Sequence, residues 1–323
     1  MKTPGKTLVF VMDPIESVDI QTDTTFALML EAQRRDHRVL YADPADLAID
    51  AEAPVVRARP VTLRREPGRH ADVGEMCNLV LDEEVDVVLQ RTDPPVDAAY
   101  VTATQILTLC RRALVLNRPA GILAANEKLY ALHFPDLMPP TRVTRSIPQL
   151  VDFMMKLGGE MVVKPLDGRG GEGIFHVRAD DRNLNSLLEQ STRFETLRVM
   201  AQRYLPDVRR GDKRILILDG EPIGAVLRVP AERDFRANFH VGGKAVRADL
   251  DGDDRRISER IAPALCRDGL FFVGIDVISG LLTEVNVTSP TGVQEINRLE
   301  DRHLEEVILD GVERKLAEHR AGS

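Results

Sequence analysis

Cysteine is scarce in this chain: Cys77, Cys110 and Cys266 are its three. They are too few and too far apart for a disulfide framework or a thiolate metal site, both of which need close or repeated spacing. The cytoplasm, a reducing compartment, is the expected location. Long apolar runs are missing too. No stretch approaches the ~20 residues that span a bilayer, so no membrane partner is expected. The strand-like Leu8 to Met12 is too short and too poorly flanked for a signal peptide. Basic charge is outnumbered, 43 Lys and Arg against 51 Asp and Glu, for a formal net charge of -8. That excludes a nucleic-acid partner gripped through its phosphates, which needs a net basic face. Lysine is itself uncommon, eight of the 43 basic residues, so a lysine placed at a loop carries more information than an arginine would.

What is present is ordinary globular material: 43% hydrophobic and 29% charged residues over 323 positions. That length exceeds the size at which one core stops growing, and two or three domains are expected. The first ~120 residues read as βαβ units. Strands are expected at Leu8 to Met12, Val39 to Tyr41, Val85 to Gln90 and Leu114 to Asn117, with helices at Thr24 to Arg35 and Ala98 to Arg112. Pro54 to Gly68 reads as a connection. These Val- and Leu-rich strands predict a doubly wound sheet covered on both faces. From Met161 the pattern becomes α+β. Strand Met161 to Lys164 passes through a glycine-rich run into strand Ile174 to Val177 with no helix between. A helix near Arg182 to Gln190 and strands at Val199 to Gln202, Arg214 to Leu218 and Ile223 to Val229 follow. Pro230 to Asp254 reads as a long lid-like loop. A helix at Ser258 to Arg267, strands at Phe271 to Ile278 and Leu281 to Val287, and a helix near Arg302 to His319 close the chain.

The run from Lys164 to Gly173 contains G-x-G-x-x-G at Gly168, Gly170 and Gly173. A dinucleotide site needs a helix N-terminus immediately after that loop, and Ile174 to Val177 alternates like a strand instead. Between two strands, a glycine loop acts as a flap whose backbone N–H groups reach phosphate oxygens; the plainer alternative is a Gly-rich hairpin turn. Lys164 at the end of the feeding strand, and Lys128 in Asn126-Glu127-Lys128, favour the flap. A protein kinase is excluded because neither H-R-D nor D-F-G occurs, and Gly242-Gly243-Lys244 lacks the upstream glycine of a Walker loop. Asp276 lies in one strand, with Glu284 and Asn286 on one face of the next. Three oxygen ligands so placed suit a divalent cation such as Mg²⁺ held with nucleotide phosphates. The competing reading is an ion pair with Arg214 or Arg228.

In order along the chain stand Asn126-Glu127-Lys128, Lys164-Pro165-Leu166-Asp167-Gly168-x-Gly170-Gly171, Ala201-Gln202-x-Tyr204-Leu205-Pro206, Asp212-Lys213-Arg214, Arg228-Val229-Pro230 and Glu284-Val285-Asn286-Val287-Thr288-Ser289-Pro290. Together with Met12-Asp13-Pro14, Phe26 to Arg35 and Arg91-x-Asp93-Pro94-Pro95, they resemble the ATP-grasp fold and, more narrowly, bacterial glutathione synthetases. The resemblance covers nearly the whole chain. It implies an ATP-grasp fold behind a doubly wound pre-ATP-grasp domain, divided as 1–123, 124–205 and 206–323. It also implies an ATP-dependent carboxylate–amine ligase. The cysteinyl carboxylate of γ-glutamylcysteine would be phosphorylated, and glycine would open the acyl phosphate.

By motif position the resemblance assigns Lys128, Lys164, Gly168, Gly170, Gly171 and Gly173 to the phosphates, Gln202, Tyr204 and Leu205 to adenine, and Asp212 to the ribose. Asp276, Glu284 and Asn286 would hold Mg²⁺ or Mn²⁺. Arg214 and Arg228 would neutralise the transferring phosphate, and Arg236, Asn238, Ser289 and Thr291 would face substrate. A homotetramer is implied. The lid departs from the family pattern, reading Arg236-Ala237-Asn238-Phe239-His240-Val241-Gly242-Gly243 where Arg-Gly-Asn and small residues are usual. That leaves open an ATP-grasp ligase joining a different acid and amine. A nucleotide-sensing protein without turnover is a third reading, opposed by the five residues Arg214, Arg228, Asp276, Glu284 and Asn286 occurring together.

Overall fold

A computed structural model describes residues 5–168, 170–231, 236–237 and 242–322. Its first sheet is built from β1 (Thr7–Val11), β2 (Arg38–Ala42), β3 (Leu47–Asp50), β4 (Ala53–Leu63), β5 (Ala71–Val73), β6 (Cys77–Val80), β7 (Val87–Gln90) and β8 (Leu114–Leu116). Strands β2, β1, β7 and β8 run parallel, as the sequence pattern predicts. The connection expected at Pro54 to Gly68 is instead largely strand β4, antiparallel to β2, β3, β5 and β6. Its buried residues alternate with outward Arg57 and Arg59; those arginines and the two prolines Pro54 and Pro60 mask the period-two signal.

Both faces of the parallel strands are covered. Leu8 and Phe10 pack under α1 (Thr24–Arg34), and Val9 and Val11 pack with Ala103 and Leu107 of α3 (Ala98–Leu107). Helix α1 starts where the Asp23 carboxylate accepts from the N–H of Phe26 at 2.6 Å, satisfying one of the free amides of its first turn. The short α2 (Leu81–Glu84) and α4 (Pro119–Ala124) connect these elements.

The second sheet contains β9 (Thr141–Thr144), β10 (Glu160–Pro165), β11 (Phe175–Arg178) and β12 (Val199–Gln202), in the order β11-β10-β12-β9 and antiparallel throughout. Helices α5 (Ile147–Lys156) and α6 (Leu184–Ser191) cover it. The hairpin expected around the glycine run is present: β10 pairs with β11, and Gly170, Gly171 and Gly173 turn the chain at positive φ. Strand β9 and helix α5 were not anticipated from sequence.

The third sheet follows the order β15-β14-β13-β16-β17, with β13 (Asp212–Leu218), β14 (Glu221–Val229), β15 (Lys244–Arg247), β16 (Phe272–Ile278) and β17 (Leu281–Asn286). Strand β15 and the start of α7 (Gly252–Asp268) occupy part of the stretch read as a loop at Pro230 to Asp254. Helix α7 begins early because Asp251 and Asp254 cap each other's backbone reciprocally, and it ends at Gly269 in the left-handed conformation. Helices α8 (Val293–Glu300) and α9 (Leu304–Gly322) complete the chain, α8 being absent from the sequence reading.

Alternation along β13 sets the packing. Ile215 and Ile217 enter the core beneath α7, whereas Leu216 and Leu218 join Leu8, Phe10 and residues of α1, α8 and α9 in a core shared with the first sheet. The first and third sheets are therefore locked together by common apolar burial. The cleft opens between the third sheet and the second. Among the described residues no helix is long and apolar enough to cross a membrane.

Candidate active site

Strand register builds the charged wall of the cleft. Asp212 stands opposite Arg228, Arg214 opposite Asp276, Asp276 opposite Glu284, and Gly274 opposite Asn286. Directly opposed residues of an antiparallel ladder share a face, so these side chains converge at the cleft end of the face that buries Leu216 and Leu218 deeper in. Gly274 makes room for them: a Cβ there would lie 3.0 Å from Cδ of Arg214.

Arg214 donates to Asp276 through Nε at 2.5 Å and Nη2 at 3.0 Å, and Arg228 reaches Oδ2 of the same carboxylate at 2.9 Å. Arg228 also donates to Oδ2 of Asp212 at 2.6 Å. Of the two sequence readings of Asp276, the ion pair is realised, with both arginines rather than one. Burial opposes ionisation of Asp276, but the two guanidinium groups hold its carboxyl well below the usual carboxylate range. Burial pushes Asp212 up to about 6 against the pull of Arg228, and its Oδ1 is buried with no hydrogen-bond partner among the described residues. An acceptor left so, at the edge of a cleft, is suited to a ligand hydroxyl.

The two lysines differ sharply. Lys128 donates from Nζ to the carbonyl of Gly168 at 2.8 Å and pairs with Glu284 at 3.1 Å; burial disfavours its charge, but Glu284, Glu127 and Asp167 together outweigh burial and raise its pKa. Lys164 lines the same cleft with no hydrogen bond or ion pair to any described residue, and burial pushes its pKa down. A desolvated ammonium without a partner awaits an anion.

Gly168, Gly170 and Gly171 line the cleft, as expected of a flap. Gly173 lies against Pro165 with φ +67, shaping the turn, and is outside the described lining. Asn126 ties the base of the flap down: Nδ2 donates to the carbonyl of Leu166 at 3.0 Å, and Oδ1 accepts from the amides of Lys128 and Leu129. Gln202, Tyr204 and Leu205 line the neighbouring pocket, and Tyr204 is stacked on His176 with ring centroids 3.8 Å apart. Glu284 and Asn286 line the cleft as well; the Asn286 amide donates to Asp276 at 3.3 Å and to the carbonyl of Gly274 at 3.2 Å, which leaves its oxygen out of these bonds. Ser289 and Thr291 are in the lining, and the carbonyl of Thr291 accepts from Arg214 at 3.3 Å. Arg236 donates to the flap carbonyl of Gly171 at 3.1 Å. Asn238 and His240 lie outside the described residues.

Sequence reasoning passed over Asp93 and Glu127, which line the cleft from outside the third sheet. Both stand in motifs already noticed, Arg91-x-Asp93-Pro94-Pro95 and Asn126-Glu127-Lys128, and that adjacency was the available signal.

The description "Prokaryotic glutathione synthetase, N-terminal domain" matches residues 7–122, and "Prokaryotic glutathione synthetase, ATP-grasp domain" matches residues 127–301. The chain belongs to the prokaryotic glutathione synthetase family. Glutathione synthetase of Gloeobacter violaceus is 47% identical over 94% of this chain and 95% of its own length, and that of Mesorhizobium japonicum is 45% identical over 94% and 97%. Among solved structures, D-cycloserine synthetase DcsG shares the fold, with a TM-score of 0.65 at 18% identity over 96% of this chain and 99% of the other. Like the rest of the prokaryotic glutathione synthetase family, this chain is an ATP-dependent ligase of ATP-grasp fold. The cleft just described falls almost wholly within its ATP-grasp portion, with Asp93 and Pro94 contributed by the N-terminal one.

Proposed function

We propose that this chain makes glutathione, coupling γ-glutamylcysteine to glycine as ATP is cleaved to ADP and phosphate. The observation that carries the reading is the unpartnered ammonium of Lys164, buried in the same cleft as the Asp212–Arg228–Asp276–Arg214 array. One free cation receives the polyphosphate, and two arginines already concentrated beside it neutralise charge where phosphate is transferred. A carboxylate is a poor acylating agent until its oxygen becomes part of a leaving group. Phosphorylation of the cysteinyl carboxylate supplies that, and catalysis then consists chiefly of positioning and charge neutralisation.

In this reading Lys128, Lys164 and the amides of the Gly168–Gly171 flap hold the phosphates; Gln202, Tyr204 and Leu205 hold adenine; and the orphaned Oδ1 of Asp212 accepts from the ribose. Arg214 and Arg228 face the transferring phosphate, for which a planar fork is better suited than an ammonium. Arg236, Asn238, Ser289 and Thr291 face the dipeptide or glycine. Asp276, Glu284 and Asn286 form an all-oxygen donor set, which fits a hard divalent cation, Mg²⁺ or Mn²⁺. Bound there, the cation would offset phosphate charge beside Arg214 and Arg228. The domain division at 1–123, 124–205 and 206–323, a homotetramer and a cytoplasmic location complete the proposal.

Purified protein supplied with ATP, Mg²⁺, γ-glutamylcysteine and glycine is expected to release phosphate only when both substrates are present. Release that ignores glycine would overturn the assignment.

A further inference from the structure

Glu127 is bound along the end of β17 by both backbone and side chain. Its carbonyl accepts from the amide of Val285 at 2.9 Å, and its Oε1 accepts from the amides of Val287 and Thr288 and from the Thr288 hydroxyl, at 2.9, 3.1 and 2.8 Å. Oε2 accepts no hydrogen bond from a described residue, and the residue lines the cleft. The carboxylates of Asp212, Asp276 and Glu284 are committed to guanidinium or ammonium groups. That of Glu127 is anchored by neutral donors alone, immediately before Ser289 and Thr291.

The acceptor amino acid enters as an ammonium ion and must shed a proton before its nitrogen can attack. The phosphate end of the cleft, with Lys164, Lys128, Arg214 and Arg228, repels an ammonium. We propose that Oε2 of Glu127 receives the acceptor's ammonium and takes the proton that frees the attacking lone pair. The idea rests on the ligase reading above. The nitrogen then forms its bond to the acyl carbon, the carbon–oxygen bond to phosphate breaks with its electron pair leaving on phosphate, and the second N–H proton departs with that phosphate. Glu127 returns its own proton to solvent.

The charged and titratable groups around Glu127 are Lys128 beside it, Glu284 from β17 and Tyr100 from α3, whose buried hydroxyl has no hydrogen-bond partner among the described residues.

The test compares glycine with hydroxylamine, an amine largely unprotonated at neutral pH. Glu127→Gln keeps an oxygen for the three anchoring donors. It is expected to lose about 10²-fold or more in glycine ligation while forming hydroxamate from γ-glutamylcysteine at close to the wild-type rate. Glu127→Asp, which retains a carboxylate, should recover part of the glycine rate. Equal losses with both amines, or no loss with glycine, would overturn the role of Glu127. Wild-type protein making no product with glycine would overturn the ligase reading instead.

Discussion

Arg214 and Asp276 face each other across β13 and β16, with Nε to Oδ1 at 2.5 Å and Nη2 to Oδ2 at 3.0 Å. The fork-to-fork pair is buried, and Arg228 leans on the same carboxylate. Asp276→Asn keeps the shape but strands the buried guanidinium of Arg214 and leaves Arg228 with Asp212 as its carboxylate partner. Stability should fall by about 3 kcal/mol, read by chemical denaturation, and phosphate release should fall by about 10²-fold or more. Unchanged stability would mean that the arginines find other partners.

Lys164 and Lys128 should respond oppositely to the same substitution. Lys164→Met removes a desolvated ammonium that has no partner, so the unliganded protein should melt a few degrees higher, a gain of about 1 kcal/mol, and lose most of the further rise that ATP produces. Lys128→Met strands Glu284 and the Gly168 carbonyl and should melt lower. Thermal shifts with and without ATP decide the matter, and equal changes in the two variants would contradict the contrast.

Asp212 gives the protein a pH signature. Its folded-state pKa, about 6, lies above its ordinary value of 3.8, so the folded state binds the proton more tightly than the unfolded chain. Stability from this group is full below the ordinary value and is lost as pH rises through about 6. Asp276, shifted the other way, adds an opposite slope at the low end of that window, near its ordinary 3.8, and the same slope is present in Asp212→Asn. Measured across it, wild type should lose stability relative to Asp212→Asn as pH rises; parallel curves would refute the assignment.

Asn117 joins the first sheet to the third. Its side chain donates to the carbonyls of Phe272 and Val287 at 2.9 and 2.8 Å and accepts from the amide of Phe272 at 2.7 Å, all buried. Asn117→Ala leaves three backbone groups unpaired and should cost about 2–4 kcal/mol. Denaturation should also lose cooperativity between the two sheets; a single unchanged transition would show that the shared apolar core suffices to couple them.

The glycine flap was readable from sequence because its evidence is local: a strand lysine, glycines, and an alternating pattern immediately after. Strand β4 was not, since prolines and outward arginines hide its period. A spacing says which glycines form a turn and not which of them lines the cleft, so Gly173 could not be told from Gly168, Gly170 and Gly171. The opposed roles of Lys128 and Lys164 were invisible for a similar reason, as pairing with Glu284 depends on a contact 156 positions along the chain.

Residue order by itself determined the ATP-grasp class, the flap and the set of charged residues available for chemistry, because each depends on residue types at short range. Which carboxylate holds which arginine was decided only in three dimensions. Antiparallel register set Arg214 against Asp276 and Asp212 against Arg228; the two guanidinium groups gathered on Asp276 made it the strong acid, and burial made Asp212 the weak one.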